Sequence, residues 1–490
     1  MDHVELWFGI LAIVLTVAAL ASGFVDRSAI SLPIIFLALG LILGPGALGI
    51  IHVSARDPAL VAVATLNLAL VLFLDAARFD IDELKREWRV PLLDLGPGTI
   101  LTIAGICVAA MLLLHTSFIQ SLLLGAVLAS TDPIVLRDIV RDVRIPRSVR
   151  RALTIEAGTN DIIVLPIVLI AIEVMLATGG GASYWIGFLM RVLILSPLVG
   201  LAVGGIGAWL MGKADERYSI RREYQALYGI GLVLASYSAG QALGGDGFLA
   251  AFFAGLAVAL FDVTLCDCFM DYGEVTAEMA MLLAFILFGA LLGPLFGTIS
   301  FALALAFAVI AIVVVRPGAM ALALLRAKMS PLARGFIAWF GPRGLSALLL
   351  ALLAVEAGAP QATNLLAIVG VVVLVSVLVH GVSATPASGW YAQQIAKAQV
   401  TMAEERESGA AGLFEGEASD IPRVTPQQLH AMIESSAPPI VLDVRSRAHY
   451  AEGDGQIPGS IRVLPDQIRE WAEEHKDPAA KQRTLIAYCT

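Results

Sequence analysis

In the apolar stretch TIEAGTNDIIVLPIVLIAI, Thr154 to Ile172, three polar residues stand near the start: Glu156, Asn160 and Asp161. An ionisable side chain at the centre of a bilayer costs roughly 2.5–3.5 kcal/mol on insertion scales, so such residues face a bundle interior and mark ion pathways or paired structural charges. On a helix Glu156 and Asn160, four apart, share a face. Asp161 points about 140° away from Glu156, with Ala157 one turn earlier on its own face. The two acids therefore look in different directions and serve different tasks. Asp161 is the candidate for a contested carboxylate. Desolvation penalises the anion, so a semi-buried carboxylate near neutrality holds either a proton or a cation. That competition couples two fluxes if the site opens to one side at a time. Asn160 cannot titrate, and one titrating group per site favours one-for-one, electroneutral exchange.

The other charges in apolar runs can be weighed in the same way. Asp132 lies in AVLASTDPIVL. Pro133 removes a backbone donor and opposes the helical conformation of the residue before it, so Thr131-Asp132-Pro133 should interrupt a span. Half-helix ends at such breaks bind ions in transporters. The alternative is a proline kink that Asp132 caps, and the residues alone leave both open. Arg343, in WFGPRGLSALLLALLAVEAG, stays charged and needs an anion, for which Glu156 is the candidate. The pair reads as structural, since breaking a buried pair costs about 3–5 kcal/mol. Gly341-Pro342 predicts a second interruption. Asp75, in LVLFLDAARFDIDEL, is either a residue of the cytoplasmic mouth or a plain interface residue. Arg191 and Arg316 also fall in apolar runs, can snorkel, and receive no role. His380, in LVHGVSATP, reads as a helix-packing donor ahead of a pH sensor.

Positioning these residues requires many membrane spans, and the composition supplies them. The 490 residues are 58% hydrophobic and only 15% charged, against about 45–50% and about 25% in soluble domains. This is the composition of an all-α polytopic membrane protein. The net charge of −9 is diffuse and shows no basic patch for nucleic acid. Cys107, Cys266, Cys268 and Cys489 form no paired disulfide framework. The N-terminal run MDHVELWFGILAIVLTVAALASGF reads as a first span rather than a removed signal peptide. Thirteen candidate spans follow: about 4–24, 30–51, 59–77, 91–114, 118–138, 152–177, 185–211, 223–243, 247–262, 276–296, 299–326, 333–356 and 362–385. Lys and Arg crowd alternate loops, around 78–89, 137–151, 213–222 and 326–334, which puts those loops in the cytoplasm, the N-terminus outside and the C-terminus inside.

Past about residue 388 the chain turns polar. The stretch 389–420 reads as a linker. From 421 to 490, PQQLHAMIES and LPDQIREWAEEH read as helices, and PIVLDVRS and TLIAYCT as strands, giving a small α/β domain. A domain rarely ends directly after a strand, so a shortened module is expected.

STDP at 130–133, EAGTND at 156–161, GPRG at 341–344 and HGVS at 380–383 together resemble the monovalent cation/proton antiporters of the Asn-Asp type, over about residues 1–388. The resemblance implies a homodimer of about thirteen helices with inverted repeats, two crossed and unwound helices, and a core domain that moves against a dimerisation domain. It implies that Asp161, with Thr131 as a further ligand, binds the transported cation, that Thr131 and Asp132 form the unwound pair, that Glu156 and Arg343 are the structural ion pair, and that Asp75 borders the ion path. The serine that commonly follows the glutamate is Ala157 here, which removes a ligand hydroxyl. The tail, IVLDVRSRAHYAEGDGQIPGSIRV, resembles a rhodanese-like domain through Asp443 and Arg445, with Cys489 at the position of the family's cysteine and without the loop that follows it. The expected function is electroneutral exchange of Na⁺ for H⁺ across the inner cell membrane in pH homeostasis, with no cofactor and no enzymatic activity. K⁺/H⁺ exchange by the same fold is the first alternative, with Li⁺ also a possible substrate. A membrane-tethered sulfurtransferase and an ion or redox sensor, which would bind ions without flux, are the others. The tail reads as a docking or regulatory module with an unknown partner.

Overall fold

The computed structural model describes residues 9–10, 12–14, 16–20, 32–78, 92–132, 136, 139–140, 142, 144–176, 180–261, 265–327, 329–397, 424–435, 438–444, 457–463, 471 and 484–488. The chain divides into two compact units, 1–412 and 413–490.

The first unit is helical. Its described residues between 9 and 20 are helical, followed by α1 (Leu32–Leu43) and α2 (Pro58–Ala77). α2 starts where the Asp57 carboxylate accepts from the Ala59 N–H at 3.0 Å and Pro58 pre-sets the first helical φ. α3 (Thr99–Leu113) leads to α4 (Phe118–Val127), which opens in a capping box between Ser117 and Gln120. α5 (Arg147–Thr159) and α6 (Asp161–Met175) are joined through Asn160 alone. Then come α7 (Ala182–Met190), α8 (Ser196–Tyr218), α9 (Arg222–Ala242), α10 (Gly247–Leu260) and α11 (Leu265–Leu295). α12 (Phe301–Val309), α13 (Arg316–Ala323), α14 (Pro331–Trp339), α15 (Leu345–Glu356) and α16 (Ala362–Lys397) complete the unit. Among the described residues three wide π turns occur, at Asp94–Gly98, Arg191–Leu195 and Ile310–Val315. Each holds or closely precedes a proline, Pro97, Pro197 or Pro317, whose missing N–H loosens the helical ladder.

Among the described residues, seven helical runs are long and apolar enough to cross a membrane: Pro58–Ala77, Asp94–Leu113, Ser148–Met175, Ala182–Tyr218, Tyr272–Thr298, Phe301–Arg326 and Ala362–Ile395. α1, α4, α10 and α15 are shorter apolar helices. α9 coincides with the expected eighth span yet falls outside both groups, carrying Arg222, Glu223, Gln225 and Gln241. Close packing comes from small residues four apart. A Cβ on Gly200 would overlap the Ala250 carbonyl, and one on Gly204 would lie 2.6 Å from the Ala254 Cα, so α8 and α10 meet backbone to backbone. One large apolar core runs through most of the helices. A second, separate cluster joins Val149, Leu153 and Ala157 of α5 to Leu324, Phe336, Phe340 and Tyr391.

The second unit holds α17 (Pro426–Ile433), opened by a capping box of Thr425 and Gln428. A three-stranded sheet has the order β2-β1-β3, with β1 (Ile440–Asp443) central and parallel to both β2 (Ile461–Arg462) and β3 (Leu485–Tyr488). Parallel neighbours need crossover connections, as an α/β domain has. The expected helix LPDQIREWAEEH lies outside the described residues except for Trp471, as do Arg445 and Cys489.

Candidate ion site at two helix breaks

Two helices are interrupted, as the prolines predict. α4 stops at Val127, and Ser130, Thr131 and Asp132 are not helical; Pro133 itself lies outside the described residues. α14 stops at Trp339, and residues 340–344 run without helix to α15. Backbone groups freed at such breaks must find partners inside the protein, and here the breaks serve each other. The Asp132 N–H donates to the Pro342 carbonyl at 2.9 Å. The Leu345 N–H, at the start of α15, donates to Asp132 Oδ2 at 2.9 Å. Arg343 Nη1 donates to the Ala129 and Ser130 carbonyls at 3.0 and 3.2 Å. An acid thus sits at the positive N-terminus of one half-helix, and a guanidinium at the negative C-terminal end of the other. Gly344 has to be glycine, because a Cβ there would fall on the Asp132 carboxylate.

The second break is also held from α16. The Arg343 N–H donates to Ser376 Oγ at 2.6 Å, Ser376 Oγ lies 3.2 Å from His380 Nδ1, and His380 Nε2 lies 3.1 Å from the Trp339 carbonyl. Nδ1 also lies 2.9 Å from the Ser376 carbonyl, so the ring is held between two backbone carbonyls, those of Ser376 and Trp339, with the Ser376 hydroxyl beside it. His380 is therefore a packing donor that bridges both ends of the interruption.

Asp161 is the first residue of α6 and is 6% exposed. The Ser130 hydroxyl faces its carboxylate. Asn160 Nδ2 donates to Thr131 Oγ1 at 2.7 Å and to the Ala129 carbonyl at 3.3 Å, tying α6 to the first break. Asp161 Oδ1, Asn160 Oδ1 and Ser130 Oγ are buried and have no hydrogen-bond partner among the described residues. Asp75, at the end of α2, packs against Gly158, where a Cβ would lie 3.5 Å from its own. It lies 3.4 Å from Arg78, which also pairs with Glu274 at 2.6 Å.

The expected Glu156–Arg343 pair is not the one that forms. Arg316 takes Glu156, with Nη2 at 2.8 and 2.9 Å from its two carboxylate oxygens and at 2.9 Å from the Phe340 carbonyl. Arg316 is 1% exposed, too deep to snorkel. The π turn Ile310–Val315 precedes it, and Gly341 leaves room for it, since a Cβ there would overlap the guanidinium. Asp94, in PLLDLGPG, passed unnoticed at the level of sequence. It is buried beside Glu156 and Arg316, and neither carboxylate oxygen has a donor among the described residues. The signal that marked Asp161, an acid inside an apolar run, was present there too.

In the second unit the buried Asp443 links all three strands: Tyr488 Oη donates to Oδ2 at 2.9 Å and Arg462 Nη1 to Oδ1 at 3.2 Å.

Residues 425–490 match the rhodanese-like domain. The first unit has relatives named K(+)/H(+) antiporters. NhaP2 of Shewanella sp. (strain ANA-3) is 30% identical over 398 residues, covering 79% of this chain and 67% of that protein. NhaP of Alkalimonas amylolytica is 26% identical over 403 residues, covering 81% and 69%. The fold is that of the sodium proton antiporter MjNhaP1 from Methanocaldococcus jannaschii, with a TM-score of 0.66 over 80% of this chain and 99% of that one at 21% identity. Residues 11–390 match the family described as sodium/hydrogen exchanger, transmembrane. The chain is a member of that transmembrane sodium/hydrogen exchanger family.

Proposed function

We propose that the chain exchanges one monovalent cation for one proton by alternating access, with both contending for Asp161. The family is one of transporters rather than enzymes. The observation that carries this reading is the buried Asp161 carboxylate, with an unbonded oxygen, beside two breaks whose other charged groups are paired. Asp132 and Thr131 hold the breaks in this reading, and Asp75 lines the cytoplasmic mouth. Thirteen crossings with inverted repeats, an outside N-terminus, a cytoplasmic C-terminus, the inner membrane and a homodimer belong to the same proposal. So do the domain limits 1–388, 389–420 and 421–490, and a regulatory tail.

Two cations are carried forward. The names of the relatives favour K⁺, while the likeness of fold is to a sodium proton antiporter. Dequenching of a pH dye in inside-out vesicles, on addition of K⁺, Na⁺ or Li⁺, decides among them. Cation-triggered dequenching in the parent and its loss in Asp161→Asn are expected. Silence of the parent toward all three cations would end the exchanger reading.

A further inference from the structure

Buried oxygen atoms without donors are few in folded proteins, and an unrecorded ion is one explanation. Three of them belong to the site: Ser130 Oγ, Asn160 Oδ1 and Asp161 Oδ1, on residues 1%, 0% and 6% exposed. Two other groups that the sequence nominated are already engaged. Thr131 Oγ1 accepts from Asn160, and Asp132 Oδ2 accepts from the Leu345 N–H. Ala157, on the Asp161 face, offers only a methyl group and is buried in the second apolar cluster. The atoms left over are all hard oxygens carrying a single negative charge, which suits an alkali cation stripped of part of its water.

We propose that Ser130 is a ligand of the transported cation. Its hydroxyl oxygen joins an Asp161 carboxylate oxygen and Asn160 Oδ1 in the shell, supplying the hydroxyl that Ala157 lacks. This rests on the exchanger reading of the same site. Ser130 serves both loaded states. When Asp161 carries the proton, its O–H donates to Ser130 Oγ. When the cation arrives, that one proton leaves, and the Ser130 lone pair turns to the ion while its own O–H stays intact. One proton is exchanged for one cation, and the hydroxyl is neither gained nor lost.

The test uses the full chain purified into proteoliposomes, with K⁺, Na⁺ and Li⁺ chlorides as probes. Ser130→Ala is expected to raise the KM for the transported cation about tenfold, as losing one hydrogen-bond-strength contact does. The maximal rate should stay within about twofold, because Asp161 remains. Ser130→Ala/Ala157→Ser should recover much of the loss, since residue 157 shares the Asp161 face. A parent KM in Ser130→Ala for all three cations overturns the proposal. Ser130→Cys, close in size and a soft ligand, covers the case of a misfolded alanine variant: the same rise in KM is expected, and an unchanged KM overturns it. Thermal unfolding in detergent separates the two readings. Should the parent be stabilised by a cation yet transport none, exchange fails while the ligand is still tested: loss of that stabilisation in Ser130→Ala supports Ser130, and its persistence overturns it.

Discussion

Arg316 and Arg343 bring the same charge to adjoining parts of the bundle and hold different partners. Arg316 neutralises Glu156, and Arg343 gathers the Ala129 and Ser130 carbonyls at the end of α4. Arg316→Gln should therefore strand a buried carboxylate and cost about 3–5 kcal/mol. Arg343→Gln forgoes charged hydrogen bonds and should cost about 1.5–3 kcal/mol. A double-mutant cycle on unfolding gives the sharper comparison. Coupling of Glu156 to Arg316 should far exceed its coupling to Arg343, and the reverse order would restore the pairing that the sequence suggested. The acids themselves were legible: Glu156 and Asp161 stood out because charge is rare in an apolar run. Their partners were not, because a sequence gives the sign of a charge and not the side of a bundle on which it lies. Arg316 looked able to snorkel until the turn before it and the gap at Gly341 drew it inward.

The prolines located both interruptions, Thr131-Asp132 before Pro133 and Gly341-Pro342, because a missing donor and a steric conflict act locally. What joins the breaks was beyond reach, since it depends on segments about two hundred residues apart meeting through Asp132, Pro342 and Leu345. The bridge from α16 is of the same kind. His380→Leu should leave the Trp339 carbonyl without its donor and destabilise the fold by about 1–3 kcal/mol. His380→Gln retains an N–H donor and should lose less on thermal unfolding. As a packing bridge, His380 should also leave the pH dependence of exchange in place when changed to Gln. A displaced pH midpoint in that variant would return His380 to the role of sensor.

Across the whole molecule, a helical unit of the exchanger family precedes a small parallel sheet that matches the rhodanese-like domain. The fold class of both was readable, because apolar runs of span length and alternating helix and strand patterns extend over many residues. α9 was expected as the span 223–243 and forms as a helix over Arg222–Ala242, although its polar residues keep it out of the most apolar runs. Cys489→Ser is expected to leave cation-driven proton movement in vesicles at the parent rate, with and without sulfide or oxidant, as suits a docking module. A response to oxidant in the parent alone would make the tail a redox device. Where the two breaks meet, Asp132 faces a helix N-terminus and Arg343 a helix C-terminus, so each of these half-helix ends is matched on the spot. Asp161 keeps a buried carboxylate oxygen with no hydrogen-bond partner among the described residues. A carrier holding neither cargo would have to drag that bare carboxylate through the occluded state, against a desolvation cost that either cargo removes. Under the proposed exchange the empty protein would be its own brake. In the proposed exchange no gate would be needed against slippage, and tracer cation loaded into vesicles should leave far more slowly into an alkaline, cation-free medium than into one that supplies cation.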